Sequence, residues 1–185
     1  TLLAQIVKMV SGESFAEFTR KNIFIPLGMN NTLFNEDVHQ VIKNRASSYE
    51  LVKGRYQEKR LNYSTAGATS LTTTVEDLAK WVANFENPVV GNKDLIKNLN
   101  ELSVYDNGKP VIWAARPGDT TYHAKGQLHW KHKGLPVISH GGHDAGFRAV
   151  LMRFPENNLA IITLSNNEHY QMLGKVLPVA ELYLK

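Results

Sequence analysis

The sequence predicts an α+β fold, and three observations carry that reading. Residues 1–105 hold apolar side chains mostly at helical spacing. Residues 106–185 open on the turn signal Asp106-Asn107-Gly108 and then alternate in short strand-like runs. The last stretch returns to helical spacing. Helices, an antiparallel meander and a closing helix make an α+β order rather than a βαβ repeat.

The elements follow in order. Leu3, Ile6, Val7 and Val10 predict a helix from Thr1, stopped by Gly12. Ser14-x-x-Glu17 has the capping-box form, and Phe15, Phe18 and Ile23 continue a second helix to Pro26. A short helix is expected within Asn35–Asn44. Ser47–Val52 and Arg55–Leu61 flank Lys53-Gly54 as a hairpin. Thr74 caps a helix whose apolar stripe is Leu78, Trp81, Val82 and Phe85, and Lys93–Leu102 is a further helix. One strand is expected over Tyr122–Lys131, then strands at Pro136–His140, Phe147–Phe154 and Leu159–Ser165. His169–Leu184 is the closing helix, interrupted by Pro178.

At 185 residues, 43% hydrophobic and 21% charged, the chain is one ordinary globular domain in size. The net charge of +4 is spread along the chain. The basic run Lys125–Lys133 is interleaved with His and Trp, so it reads as a solvated hairpin and not as a nucleic-acid surface. There is no cysteine, which excludes disulfides and thiolate catalysis. No apolar run reaches the ~18 residues of a membrane span. No signal peptide is visible, but the chain begins at Thr1 inside a helical pattern and therefore reads as an excised piece.

Chemistry concentrates in Ser139-His140-Gly141-Gly142-His143-Asp144-Ala145-Gly146-Phe147, where two histidines and an aspartate stand among three glycines. The expectation is strand, Gly-rich bend, strand, with polar groups gathered at the bend and glycines supplying positive φ. Five of the seven histidines fall between His123 and His143. A zinc reading would join His140, His143 and Asp144 to His123, His129 or His132. It needs three or four ligands converging at ~2.0–2.2 Å, and no His-Glu-x-x-His helix is present. An exposed hairpin is the plainer account of His123, His129 and His132. No Ser-x-x-Lys or Gly-x-Ser-x-Gly occurs, and Tyr105-Asp106-Asn107 is better explained as part of a turn.

Four segments in a fixed order carry a family resemblance. They are Leu2–Val7 ending in Ser11-Gly12, then Pro26-Leu27-Gly28-Met29, then Gly67-Ala68-Thr69-Ser70-Leu71 with Thr73-Thr74-x-x-Asp77-Leu78, and finally Ser139-His140-Gly141-Gly142 through Gly146-Phe147 to Asn166. Together the chain resembles the carboxy-terminal portion of the serine β-lactamase and penicillin-binding-protein superfamily, most closely its class C β-lactamase-like branch. The resemblance implies a β-lactamase/transpeptidase-like fold, incomplete at the amino terminus, in which residues 1–105 form the mostly helical part and 106–185 the sheet and closing helix. It implies acyl-enzyme chemistry on an ester, peptide or β-lactam carbonyl, without a cofactor. The third motif would be His140-Gly141-Gly142. His140 would hold the substrate, the backbone N–H of His143 would donate to the oxyanion, and Gly141, Gly142 and Asp144 would contact substrate. The nucleophilic Ser, its Lys and the Tyr of Tyr-x-Asn would lie upstream, in an amino-terminal segment that is also this chain's structural partner. The third-motif strand would lie at the active-site edge of the sheet, and the last strand would pair with that segment. Members are often extracytoplasmic. A non-catalytic binding or structural domain of the same fold is the alternative, with the zinc hydrolase as a third reading.

Overall fold

The structure, a computed structural model, describes residues 1–116 and 119–184. The chain divides into two units, each with its own packing: Thr1–Val90 with His143–Arg148 and Leu164–Tyr170, and Gly91–Gly142 with Ala149–Thr163 and the chain from Gln171 on.

In the first unit local chemistry places the helices. Helix α1, Leu2–Ser11, stops where Gly12 turns left-handed at φ 75°. Helix α2, Phe15–Thr19, starts with the Ser14 side chain accepting from the Glu17 N–H at 3.1 Å, and a π-type turn, Arg20–Phe24, extends it. Glu17 does not reach back to close the capping box; its carboxylate pairs with Arg20. Two-residue strands β1, Leu33–Phe34, and β4, Leu71–Thr72, pair antiparallel. The Phe34 ring packs on Phe15 and Phe24, with centroids 4.8 and 6.1 Å away.

Between these lies the hairpin of β2, Tyr49–Val52, and β3, Arg55–Glu58. Its loop, Lys53 and Gly54, has φ of 48° and 77°, the two positive values that a tight hairpin turn requires. The helix expected within 35–44 does not form. Asn35 accepts from the Asp37 N–H at 3.1 Å and Asp37 from the His39 N–H at 2.9 Å. Successive Asn and Asp side chains bond their own backbone there and displace the helical ladder.

Helix α3, Val75–Glu86, is capped by Thr74 as expected. Asp77 in its first turn is buried. Its carboxylate accepts from the Asn31 N–H at 2.7 Å, the Thr32 hydroxyl at 2.8 Å and Lys80 Nζ at 2.9 Å. Lys80 also donates to the Gly28 carbonyl at 2.5 Å. Asp77 thus ties the Thr-Thr-x-x-Asp-Leu segment to the chain just after the Pro-Leu-Gly-Met turn.

The second unit holds helix α4, Lys93–Asn100, and most of a six-stranded sheet. Its strands are β5, Ile112–Arg116; β6, Asp119–Ala124; β7, Gln127–His132; β8, Leu135–Asp144; β9, Phe147–Phe154; and β10, Leu159–Ser165. They lie in the order β10-β9-β8-β7-β6-β5. Helix α5, Met172–Glu181, contains Pro178. Val137, Val150, Met152, Phe154, Val176 and Ala180 are buried together as the core of this unit.

Two strand expectations are corrected here. Tyr122–Lys131 is two strands, not one, because Lys125 and Gly126 reverse the chain at φ 44° and 87°, placing Ala124 opposite Gln127. Ser139–Phe147 is not a bend built from Gly141 and Gly142. The strand runs on through both, and the reversal comes at Ala145, with φ 44°, and Gly146.

Candidate active-site strand

Strand β8 changes character at its midpoint. Val137, Ile138 and Ser139 are buried, while His140, Gly141, Gly142 and His143 are exposed. The ladder between β7 and β8 runs from His132↔Leu135 to Leu128↔Ser139. The His140–Asp144 half therefore lies past the end of that ladder. In the order of strands β8 sits inside the sheet, not at its edge as expected; only this outer half has the character of an edge, because β7 ends first.

The glycines divide by what they allow. A Cβ on Gly141 would sit 3.5 Å from the Ala149 carbonyl oxygen, and one on Gly142 3.4 Å from the Ala149 Cβ, both ordinary contacts. A Cβ on Gly146 would meet the Tyr49 backbone O and N at 2.7 and 2.8 Å. Close approach is thus a demand of the fold at Gly146, whereas at Gly141 and Gly142 it leaves the backbone bare toward solvent.

The last residues of β8, His143 and Asp144, belong to the first unit, and other residues of that unit surround them. The Gly146 N–H donates to Ser48 Oγ at 3.2 Å, and the buried Ser48 hydroxyl donates to the Lys59 carbonyl at 2.6 Å. Tyr49 exchanges backbone hydrogen bonds with Asn166 and Glu168, at 2.8 and 3.0 Å. The Tyr63 hydroxyl donates to Asp144 Oδ1. That bond, then partial burial, then the carboxylate's charge, hold the Tyr63 phenol above its ordinary pKa. Glu168 takes Lys59 Nζ at 2.8 Å and stands 3.6 Å from Arg148 Nη2 and 3.8 Å from His143 Nε2. The Lys59 hydrogen bond, against a smaller cost of burial, keeps its carboxyl below the usual range. None of Ser48, Lys59, Tyr63, Arg148 and Glu168 was singled out from sequence. The bonds of Ser48, Lys59 and Tyr63 span 81 to 109 residues, and no local pattern announces such a contact.

The other histidines are engaged elsewhere. The His123 ring stacks on Trp113 at 6.1 Å, and His132 Nε2 lies 2.9 Å from Glu181. His129 is partly buried, and burial, then the charge of Arg153, push it below its ordinary pKa. These are packed strand residues rather than the solvated hairpin expected. Among the described residues no three His, Asp or Glu side chains gather as a metal site. Tyr105-Asp106-Asn107 forms the expected turn, with the Gly108 N–H donating to the Tyr105 carbonyl at 2.8 Å.

The β-lactamase family model matches residues 1–183, so the chain belongs to the β-lactamase family, within the serine β-lactamase and penicillin-binding-protein superfamily. No curated protein matches it. Among solved structures it is similar to the octameric penicillin-binding protein homologue from Pyrococcus abyssi, at 24% identity and TM-score 0.79, covering 97% of this chain and 41% of that one. The penicillin-binding protein from Bacillus halodurans is 18% identical at TM-score 0.80, covering 99% of this chain and 54% of that one. A D-amino acid amidase from Ochrobactrum anthropi SV3, crystallised with L-phenylalanine amide, is 21% identical at TM-score 0.65, covering 89% and 47%. The chain thus spans about half the length of these neighbours, and at these identities they bear on the fold alone. Among the described residues no helix is long and apolar enough to cross a membrane.

Proposed function

We propose that these residues form part of a serine hydrolase that acts through an acyl-enzyme on an ester, peptide or β-lactam carbonyl, in the class C β-lactamase-like branch. The observation that carries the reading is the outer half of β8: exposed, past the end of its ladder with β7, and bare at Gly141 and Gly142. An extended substrate can lay its backbone along such an edge by main-chain hydrogen bonding. No Ser-x-x-Lys occurs in the 185 residues, so on this reading the nucleophile comes from the same protein outside them. Its Oγ attacks the carbonyl carbon, the oxyanion forms, and collapse expels the leaving group; water then attacks the acyl-enzyme and releases the acid. The His143 N–H is one oxyanion donor, a group worth roughly 3–4 kcal/mol of barrier where such donors have been removed. His140 orients substrate, its ring nitrogens offering a hydrogen-bond donor and an acceptor. Asp144 stands beside the substrate path.

The test is kinetic. In the protein expressed from its complete gene, His140→Ala is expected to lower kcat/KM about 10- to 100-fold, as misplaced substrate does, with the fold intact. Unchanged kinetics would make His140 a bystander.

A further inference from the structure

We propose that Tyr63 is a positioning residue for this reaction, holding the His143 N–H in its donating orientation through Asp144, the next residue along β8. The inference rests on the reading of β8 just given and names a residue that reading does not contain. Past Ser139 the strand keeps β9 on one side but has lost its β7 neighbour on the other, so that side is left for other contacts to fix. The buried Gly146–Ser48 bond and the Tyr49 backbone fix the turn beyond it. A further contact is made one residue past the donor. Tyr63 reaches across 81 residues to the carboxylate of Asp144, the residue after His143. The donating N–H lies in the Gly142–His143 peptide, so Tyr63 acts on it by fixing the backbone on the other side of the His143 Cα.

Tyr63 is rigidly mounted. It stands on the segment between β3 and β4, which is braced by Ser64 Oγ donating to the Asn35 carbonyl, the Thr65 N–H donating to Ser70 Oγ at 3.0 Å, and Thr65 Oγ1 bonding Thr69 Oγ1 at 2.6 Å. Tyr63 is 47% exposed. A hydrogen bond so placed adds little to stability, which is what separates positioning from scaffolding. Its hydroxyl keeps its proton above the ordinary tyrosine range, so it donates throughout the working range of a hydrolase. The other charged groups at this end, Lys59, Glu168 and Arg148, engage one another and His143 rather than Asp144.

The experiment uses the protein from its complete gene and measures acylation by a fluorescent β-lactam or fluorophosphonate together with steady-state turnover. Tyr63→Phe removes only the hydroxyl. It is expected to lower kcat and the acylation rate about tenfold while KM stays within about twofold, since the loss falls on the transition state. The melting temperature should hardly move. Asp144→Ala should show the same loss, and the double variant should be no slower than the slower single one, because both break one coupled unit. A wild-type rate in Tyr63→Phe, losses that multiply, or a fall that follows melting temperature alone would overturn the proposal. If the wild-type protein forms no acyl-enzyme, the serine-hydrolase reading falls and this inference with it. If it does and Tyr63→Phe matches it, only this inference falls.

Discussion

Gly146 shows how differently a glycine reads in sequence and in space. The pattern His-Gly-Gly-His-Asp-Ala-Gly suggests three equivalent turn glycines, yet the chain passes straight through the first two. Of the three, only Gly146 has backbone so close that a Cβ would clash with it. Gly146→Ala should therefore cost about 2–3 kcal/mol, as overpacking against rigid atoms does, whereas Gly142→Ala should cost well under that in denaturant unfolding. Equal costs would mean that the Tyr49 backbone yields. Gly142→Val keeps the opposite profile: a folded protein that turns over slowly, since the branched side chain would stand in the path along β8. Gly146 was not legible as special because its partner lies 97 residues away, at Tyr49, and close approach leaves no local signature.

At the scale of elements, the local signals were the legible ones. Ser14 and Thr74 cap the helices they precede, and Lys53-Gly54 turns the hairpin, because each acts within four residues. Where two local readings competed, the sequence misled: Asn and Asp outbid the helix within 35–44, and alternation across Lys125-Gly126 masked a reversal. Asp77 extends the argument to stability. Burial alone would raise its pKa, but hydrogen bonds from Lys80, Thr32 and the Asn31 N–H outweigh that and lower it. A depressed folded-state pKa adds stability above the unfolded carboxyl value of about 3.9, which is lost as pH falls through the folded one. Asp77→Asn should accordingly cost about 1–3 kcal/mol at neutral pH, since buried donors lose a charged acceptor, and the difference from wild type should shrink in acid. Urea unfolding at pH 7 and below pH 4 measures both. A pH-independent difference would show that Asp77 acts by shape alone.

At the scale of the whole chain, the fold class and the order β8-β9-β10 were legible because the strands follow one another with clear turns. What lies beside β10 was not. Among the described residues it has one neighbour in the sheet, β9, and on α1 the side chains of Leu2, Leu3, Ile6, Met9 and Val10 are exposed. An open apolar strand edge is a template for association. The 185-residue polypeptide on its own is expected to associate at several micromolar in size-exclusion chromatography with light scattering, and a cooperatively folding monomer would show that this edge needs no partner.

The claim on which the account turns is that β8 serves a serine nucleophile supplied from elsewhere in the same protein. Intact and peptide mass spectrometry after reaction with a fluorophosphonate tests it most directly, on the protein from its complete gene and on residues 1–185 alone. The account predicts one stoichiometric adduct on the complete protein, at a serine outside these residues, and none on the isolated chain, where Ser139 Oγ accepts from Trp130 Nε1 and Ser64 and Ser70 are held by their neighbours. An adduct on Ser64, Ser70 or Ser139, or a complete protein that reacts nowhere, would contradict it.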